Sequence, residues 1–452
     1  MLINNALMHQ LKNCYDIRST DICPEDAFLI GRAFGSELIE RNKKRAVIGY
    51  DRRKDSKIIH DNFIEGMLST GIDVISIGRC PTPMIQTAEI ALNVDASIAI
   101  TASHNPPEYH GIKLFMNRRA FSDEHLAELI ARILQKSFHK GEGKLERADF
   151  SKQYAQILHQ VVQINGHFRI GIDFLNGAGA DIFPYVASMF KGEYYLLNHN
   201  LDQTFSGFAP DPTYEPRLEQ LKTLILEKNL DFGIVFDGDM DRCVILDNKG
   251  KMLQGDALTA LYAYFIYKLE GRHIKVIWDS KSSNLFIKWA KSFADCLISI
   301  TGHCHIYNLL QQSDADLGGE CSGHYLFKNQ HGISDGLYAA MIFISSLEKL
   351  NLTLPKALEL LPAIWVAQPM AIQCLEEDKM RVINQITNIL TRQGVTLDLS
   401  DGVKVCLSCG WWMIRPSRTE EILRLSAEGW TQEGLETVTE HMNTILASID
   451  LS

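Results

Sequence analysis

Apolar and polar positions along the chain form one unit that recurs three times. Each copy starts with a short apolar run closing on an aspartate, passes through an amphipathic stretch, and ends in a second apolar run that opens into a polar loop. In the first copy Arg45 to Tyr50 leads to Asp51, the helical spacing of Ile59, Phe63 and Met67 follows, and Ser97 to Ile100 opens into Thr101-Ala102-Ser103-His104-Asn105-Pro106. Gly71 supplies the stop for that helix. The second copy runs from Phe168 to Ile172 and Asp173, through a helix carrying Leu218, Leu221 and Ile225, to Phe232 to Phe236 and the loop Asp237-Gly238-Asp239-Met240-Asp241-Arg242. The third has Ile274 to Trp278 ending at Asp279, helical segments around Leu285 to Trp289 and Ile306 to Leu310, and the loop Gly319-Glu320-Cys321-Ser322-Gly323-His324.

Strands alternating with helices predict largely parallel sheets, whose ligand sites form outside the carboxyl ends of the strands, so three units packed around one cleft would bring their loops together. Beyond about Pro362 the pattern changes to strands at Val403 to Leu407, Trp411 to Ile414 and Ile422 to Leu425, then a helix from about Thr431 to Ile449. The predicted fold class is α/β: three doubly wound, mixed-sheet α/β domains over 1–150, 151–254 and 255–362, and an α+β domain over 363–452, around a central cleft.

The chain has 452 residues, 46% of them hydrophobic and 22% charged, the balance of a folded globular protein of several domains. Its net charge of −10 argues against nucleic acid or an acidic membrane as partner. An anionic substrate would have to be held by local Arg and Lys. The N-terminal segment Met1 to Cys14 lacks the apolar core of a signal peptide, and no run approaches the ~18 apolar residues of a membrane span, so a cytoplasmic location is expected. The 10 cysteines are expected as free thiols; Cys406 and Cys409 have CxxC spacing, but Val405 to Ser408 reads as strand and no second pair completes a zinc site.

Asp237, Asp239 and Asp241 stand at i, i+2 and i+4, so in an extended segment their carboxylates share one side, a hard-oxygen set suited to Mg²⁺. An EF-hand is excluded, since it needs Gly at Arg242 and a bidentate Glu at Asn248. A solvated acidic turn in a hairpin is the alternative on spacing alone. Ser103 follows a buried-looking strand, with His104 beside it, Lys113 further on, and Pro106 and Pro107 stiffening the backbone; it suits a nucleophile, or simply a cap of a turn. Gly319 to His324 offers carboxylate, hydroxyl and imidazole to a polyol, and Arg415-Pro416-Ser417-Arg418-Thr419 offers guanidinium and hydroxyl groups to a phosphate dianion, though each could equally be a solvated turn.

Taken together and in this order, the four loops resemble the α-D-phosphohexomutase superfamily, most closely its bacterial phosphomannomutase/phosphoglucomutase branch, over nearly the whole chain. Tyr15-Asp16-Ile17-Arg18, Pro81-Thr82-Pro83 and the stretch from Tyr109 to Lys113 are similar to further family segments. The resemblance implies that Ser103 carries a phosphoryl group and that Asp237, Asp239 and Asp241 bind Mg²⁺ together with Ser103. It further implies that Arg18, His104 and Lys113 assist proton transfer and charge stabilisation. Tyr15, Arg242, Gly302, His303, Glu320, Ser322, His324, Arg415, Ser417, Arg418 and Thr419 would bind the substrate. It also implies a phosphosugar substrate, hexose 1,6-bisphosphate as activator and intermediate, and a monomer or weak homo-oligomer.

The chain departs from the family pattern at Ser19 (Gly), His110 (Asn), Tyr307 (Lys), Arg418 (Asn) and Glu421 (Pro). Cys321 stands where mannose and glucose mutases more often carry Met and glucosamine mutases Gln, so phosphoglucosamine mutase is an alternative within the family. A metal-dependent sugar-phosphate phosphohydrolase and a non-catalytic sugar-phosphate-binding protein are the alternatives outside it.

Overall fold

The computed structural model describes residues 16–166, 168–189, 191–368, 370–417 and 421–449. Its first sheet contains β1 (Ile17–Ser19), β2 (Arg45–Tyr50), β3 (Asp73–Arg79), β4 (Ala96–Ile100), β5 (His110–Met116), β6 (Arg119–Ala120) and β7 (Leu145–Arg147), in the order β1-β5-β4-β2-β3-β7 with β6 on β5. The second contains β8 (Phe168–Asp173), β9 (Gly192–Leu197), β10 (Phe232–Phe236) and β11 (Cys243–Leu246), ordered β11-β10-β8-β9. The third contains β12 (Ile274–Asp279), β13 (Ala294–Ser299), β14 (Leu317–Gly319) and β15 (Tyr325–Phe327), ordered β15-β14-β12-β13.

These orders are the same topology three times. β5-β4-β2-β3, β11-β10-β8-β9 and β15-β14-β12-β13 each hold three parallel strands and one antiparallel strand at the same place. The repeated unit read from the sequence therefore exists, but it contains a strand that the reading passed over. β3, β9 and β13 lie between the two recognised apolar runs. β9 and β13 are exposed or half-buried over most of their length and show no alternation of apolar and polar positions, so periodicity does not announce them.

Each polar loop joins the last parallel strand of its unit to the antiparallel strand, at β4–β5, β10–β11 and β14–β15, and so stands at a carboxyl end of the sheet. One apolar core runs without a break from Val47 of the first sheet through the second and third to Ala357, which locks the three units into one body. The other face of the first sheet packs on the helices Pro24–Glu40 and Ser56–Leu68 in a core of its own.

The fourth sheet contains β16 (Trp365–Val366), β17 (Met370–Gln373), β18 (Leu397–Asp398), β19 (Val403–Leu407), β20 (Gly410–Pro416) and β21 (Ile422–Gly429), all antiparallel. Helices Lys379–Arg392 and Gln432–Leu446 cover it, and Thr431 caps the latter by accepting a hydrogen bond from Gly434 N. Its core is separate from that of the other three units. Contacts to the third unit are polar: Lys404 Nζ donates to Ser280 O (2.8 Å), and Asp401 accepts from Ser280 Oγ (2.8 Å) and Thr301 N (3.0 Å). Among the described residues no helix is long and apolar enough to cross a membrane.

Candidate active site

The loop Asp237–Arg242 is the hub on which the first three units meet. It is not the extended segment expected from its i, i+2, i+4 spacing. Met240 N donates back to Asp237 O at 3.1 Å and Met240 takes a left-handed φ of 60°, so the chain turns sharply and the three carboxylates converge by curling inward. They are buried, and oxygens of Asp237, Asp239 and Asp241 lie within 4.8 Å of one another. The loop does join the two strands of a hairpin, yet it is not solvated. Thr82 of the first unit donates from its backbone N to Asp239 O (3.0 Å) and from its hydroxyl to Asp239 Oδ2 (2.5 Å). From the third unit Gly336 N donates to Met240 O (3.0 Å) and Ser334 Oγ to Asp241 O (2.7 Å).

Lys113, buried on β5, donates from Nζ to Asp239 Oδ2 (2.8 Å) and Asp241 Oδ2 (2.7 Å). Burial lowers its pKa, but these two carboxylates outweigh burial and raise it, so the ammonium is permanent. Its place is therefore beside the carboxylates, not in a hydrogen bond to Ser103. Asp237 is left without that partner. Burial, reinforced by the charges of Asp241 and Asp239, pushes its carboxyl well above the usual range. Burial also raises Asp241, but Lys113 and Arg242 overcome it and hold that carboxyl below the usual range. Asp239 Oδ1 and Asp241 Oδ1 are buried with no hydrogen-bond partner. Two orphaned carboxylate oxygens in a clustered all-oxygen set fit a hard divalent cation.

Ser103 faces this cluster. Its Oγ donates to Asp237 Oδ2 at 2.9 Å and lies 3.3 Å from His104 Nδ1. Ser103 is buried and takes a left-handed φ of 52°, a strained conformation for a residue with a Cβ. His104 is neutral, because burial and the charges of Arg242, Arg18 and Lys113 hold its pKa well below the ordinary value. Arg18 donates to Asn105 Oδ1 (2.7 Å) and pairs with Asp16 (2.9 Å), so it braces the loop's outer side.

The third loop approaches from across the hub. Arg242 Nε donates to His324 Nε2 at 3.0 Å, His324 Nδ1 lies 2.9 Å from Ser334 Oγ, and the rings of His303 and His324 stack at 4.7 Å. Burial first, then the charges of Arg242 and His303, keep His324 neutral and so able to accept from Arg242. Gly302 caps helix His303–Ser313 with a φ of 126° that L side chains avoid. Glu320 Oε2 and Ser322 Oγ are buried without a partner, the condition of groups built to meet a ligand's hydroxyls.

Arg415 is the last residue but one of β20, and its charge acts on Lys281 of the third unit. Ser417 is buried, and its backbone N donates to Ile422 O (3.0 Å). Tyr15, Arg418 and Thr419 lie outside the described residues.

Three of the departures, Tyr307, Ser19 and His110, have defined surroundings. Tyr307 lines a crevice between the first and third units, shared with Phe115, Arg118 and Gln86 and reaching Asp241 and His303. Ser19 and His110 are direct partners in the β1–β5 register, and His110 Nε2 sits 3.6 Å from Asp55.

Sequence reasoning missed three residues. Lys281, two residues after Asp279, is held by that carboxylate at 3.2 Å; burial lowers its pKa, but Asp279, Cys321 and Glu320 raise it further. Arg53 stands in the same place after Asp51. The signal was available as the repeated pattern Asp-x-cation at the end of the first strand of two units. Thr82 was quoted only as part of a turn, and its bond to Asp239 spans 157 positions of sequence.

Comparisons with known proteins agree with this architecture. Family models for phosphoglucomutase/phosphomannomutase match in series: α/β/α domain I over residues 10–140, domain II over 148–250, domain III over 254–364 and the C-terminal domain over 366–445. A phosphoglucomutase/phosphomannomutase of Thermococcus kodakarensis is 30% identical, with 92% of this chain and 93% of that protein covered. A phosphomannomutase/phosphoglucomutase of Pseudomonas aeruginosa is 27% identical over 97% of this chain and 96% of its own length. The crystal structure of a phosphoglucomutase/phosphomannomutase family protein from Burkholderia thailandensis has the same fold, with a TM-score of 0.90, 24% identity and 97% of both chains covered. The chain therefore belongs to the phosphoglucomutase/phosphomannomutase family of the α-D-phosphohexomutase superfamily, and it is a phosphohexomutase, an isomerase that works as an intramolecular phosphotransferase.

Proposed function

We propose that the chain interconverts mannose 1-phosphate and mannose 6-phosphate, and the glucose pair with them, through phosphorylated Ser103 and a hexose 1,6-bisphosphate. The observation that carries this reading is the 2.9 Å contact between Ser103 Oγ and Asp237 inside a buried carboxylate cluster. A phosphoryl group on this Oγ would lie among the charges that the cluster organises.

Asp237, Asp239 and Asp241 would hold Mg²⁺, which supplies positive charge next to the phosphoryl oxygens and makes Ser103 Oγ a better leaving group. In the first half-reaction the phosphorus–Oγ bond of Ser103 breaks as the free sugar hydroxyl bonds to phosphorus. The proton of that hydroxyl needs an acceptor, and His104, kept neutral beside Ser103, can take it. The bisphosphate then turns round, Ser103 Oγ bonds to the other phosphorus as that phosphorus–sugar oxygen bond breaks, and His104 returns its proton to the freed sugar oxygen. Turning requires contacts that serve both orientations. Glu320 Oε2 and Ser322 Oγ, buried and unpartnered, would bind ring hydroxyls either way. Arg415 and Ser417, with Arg418, Thr419 and Lys281, would hold whichever phosphate is not reacting, and Arg242, Gly302 and His303 would line the cleft between.

The test is ³¹P NMR of the protein with Mg²⁺ and a trace of hexose 1,6-bisphosphate, in separate tubes with mannose, glucose and glucosamine 1-phosphates. Growth of a 6-phosphate signal in the first two, abolished by Ser103→Ala, is the expected result. Free phosphate as the product would replace the reading by a phosphohydrolase, and conversion confined to glucosamine 1-phosphate would replace the sugar.

A further inference from the structure

A left-handed backbone is strained at a residue with a Cβ such as Ser103, so something must hold the loop in that shape. The loop contains no regular structure to do so. What fills its interior is the side chain of Arg53, which is fully buried and comes from the segment after β2.

A guanidinium carries five N–H donors in a rigid planar fork. In Arg53 all five are matched. Nη2 donates to the carbonyls of Ser103 (2.8 Å) and Asn105 (2.7 Å), Nη1 to those of Pro106 (2.6 Å) and Tyr109 (3.1 Å), and Nε to Asp51 Oδ2 (3.2 Å). The chain from Ser103 to Tyr109 thus wraps one cation, with its carbonyls pointing inward. Asp51 fixes the fork in turn: its Oδ1 accepts from Arg53 N (3.0 Å) and Ser56 Oγ (2.5 Å), and its own N donates to Ile100 O (3.0 Å) on β4. The guanidinium lies 5.1 Å from the ring centre of Phe205, which belongs to the second unit. Ser103 is therefore pinned on both sides, its N donating to Thr101 Oγ1 (2.9 Å) and its carbonyl accepting from Arg53, while its Oγ reaches Asp237.

We propose that Arg53 is the positioning residue of the Ser103 loop, acting from inside the turn and never touching the sugar or the phosphate, with Asp51 as its anchor. The proposal rests on Ser103 being the phosphoryl carrier. Lysine keeps the charge but offers three donors from a single point and cannot span four carbonyls and a carboxylate. Arg53→Lys should therefore lower kcat by on the order of 100-fold with KM within about three-fold, since a misplacement near 1 Å at a reacting group has that effect. The isosteric Asp51→Asn should lower kcat by about ten-fold in the same pattern. Both variants should move the ³¹P chemical shift of phosphorylated Ser103, which a remote effect on folding would leave alone.

The experiment measures kcat, KM and that ³¹P shift for Arg53→Lys and Asp51→Asn, with Ser103→Ala alongside. An active Ser103→Ala would remove the phosphoserine reading itself. An inactive Ser103→Ala with wild-type kcat in folded Arg53→Lys, or in Asp51→Asn should Arg53→Lys not fold, would overturn the role of Arg53. A rise in KM at unchanged kcat, or loss of fold in both variants, would also overturn it.

Discussion

Gly238 of the carboxylate loop packs against the Ser103 loop, and replacing it by alanine tests whether their spacing carries the chemistry. Its backbone is not in the left-handed region, so alanine introduces no φ strain, and the effect is purely one of space. A Cβ there would lie 2.4 Å from Ser103 O and 2.9 Å from Pro210 Cγ, where ordinary contact begins at 3.4 Å. Ser103 would have to retreat by about 1 Å. Pro210 cannot absorb this, because it meets the same Cβ from its own side. A shift of that size at a reacting atom costs on the order of 100-fold in rate, which corresponds to about 2.7 kcal/mol of barrier. Overpacking should cost a further ~1–3 kcal/mol of stability. KM should stay within a few-fold, because the sugar and phosphate contacts proposed at Glu320, Ser322 and Arg415 lie on other loops. The assay is initial-rate conversion of the 1-phosphate at saturating hexose 1,6-bisphosphate, with intact mass to show how much Ser103 is phosphorylated. A folded Gly238→Ala protein with kcat within two-fold of wild type would refute the argument that this approach sets the geometry.

Three other perturbations separate the parts of the site. Lys113→Met removes the cation that pairs with Asp239 Oδ2 and Asp241 Oδ2, and breaking a buried pair costs about 3–5 kcal/mol, so the apparent Tm without divalent cation should fall. Mg²⁺ should then raise Tm more in the variant than in wild type; an equal or smaller rise would refute the assignment of the carboxylates to the cation. Arg415→Ala removes a charged phosphate donor worth ~1.5–3 kcal/mol and should raise KM by about ten- to a hundred-fold at nearly constant kcat, whereas a fall in kcat alone would contradict the clamp. Glu428, buried on β21 with Oε1 unpartnered, has its pKa raised by burial and by Asp256 from 4.5 to about 7. It then binds more protons folded than unfolded, so its contribution to stability is complete below about pH 4.5 and is lost as pH rises to about 7, ~3 kcal/mol in all. Glu428→Gln should raise Tm at pH 8 and leave it unchanged at pH 4.5, as read by calorimetry; equal effects at both pH values would refute this.

Each polar loop was visible in the sequence because it interrupts an apolar run, and an interruption after a buried strand is a local signal. Ser103, the three aspartates and Glu320 were singled out in this way. What escaped is of a different kind. Thr82 looks like an ordinary turn residue until the fold carries it to Asp239, and Lys113 reads as a residue near Ser103 until β5 pairs with β4 and points it across the domain boundary. The spacing of Asp237, Asp239 and Asp241 suggested the right cluster by the wrong geometry, since alternation along an extended strand and a tight turn through Met240 both bring the carboxylates together.

The threefold repeat explains why one fold can hold such unlike groups in one place. The unit always delivers a loop at the same end of its sheet, and the loop's residues are otherwise free to vary. The repeat also carries an aspartate at the end of its first strand, and two residues later each unit uses the position differently. In the first, Arg53 turns inward and builds a loop around itself; in the third, Lys281 pairs with Asp279 near Glu320 and Arg415. In the second the position is Leu175, which packs into the core, while Asp173 accepts from Leu175 N (2.8 Å) and Asn198 Nδ2. The unit that supplies the carboxylate cluster is thus the one without a cation at this place. A buried cation there would add positive charge beside a loop whose work, in the proposed function, is to attract Mg²⁺, and Lys113, reaching over from the first unit, already neutralises as much of the cluster as two hydrogen bonds allow.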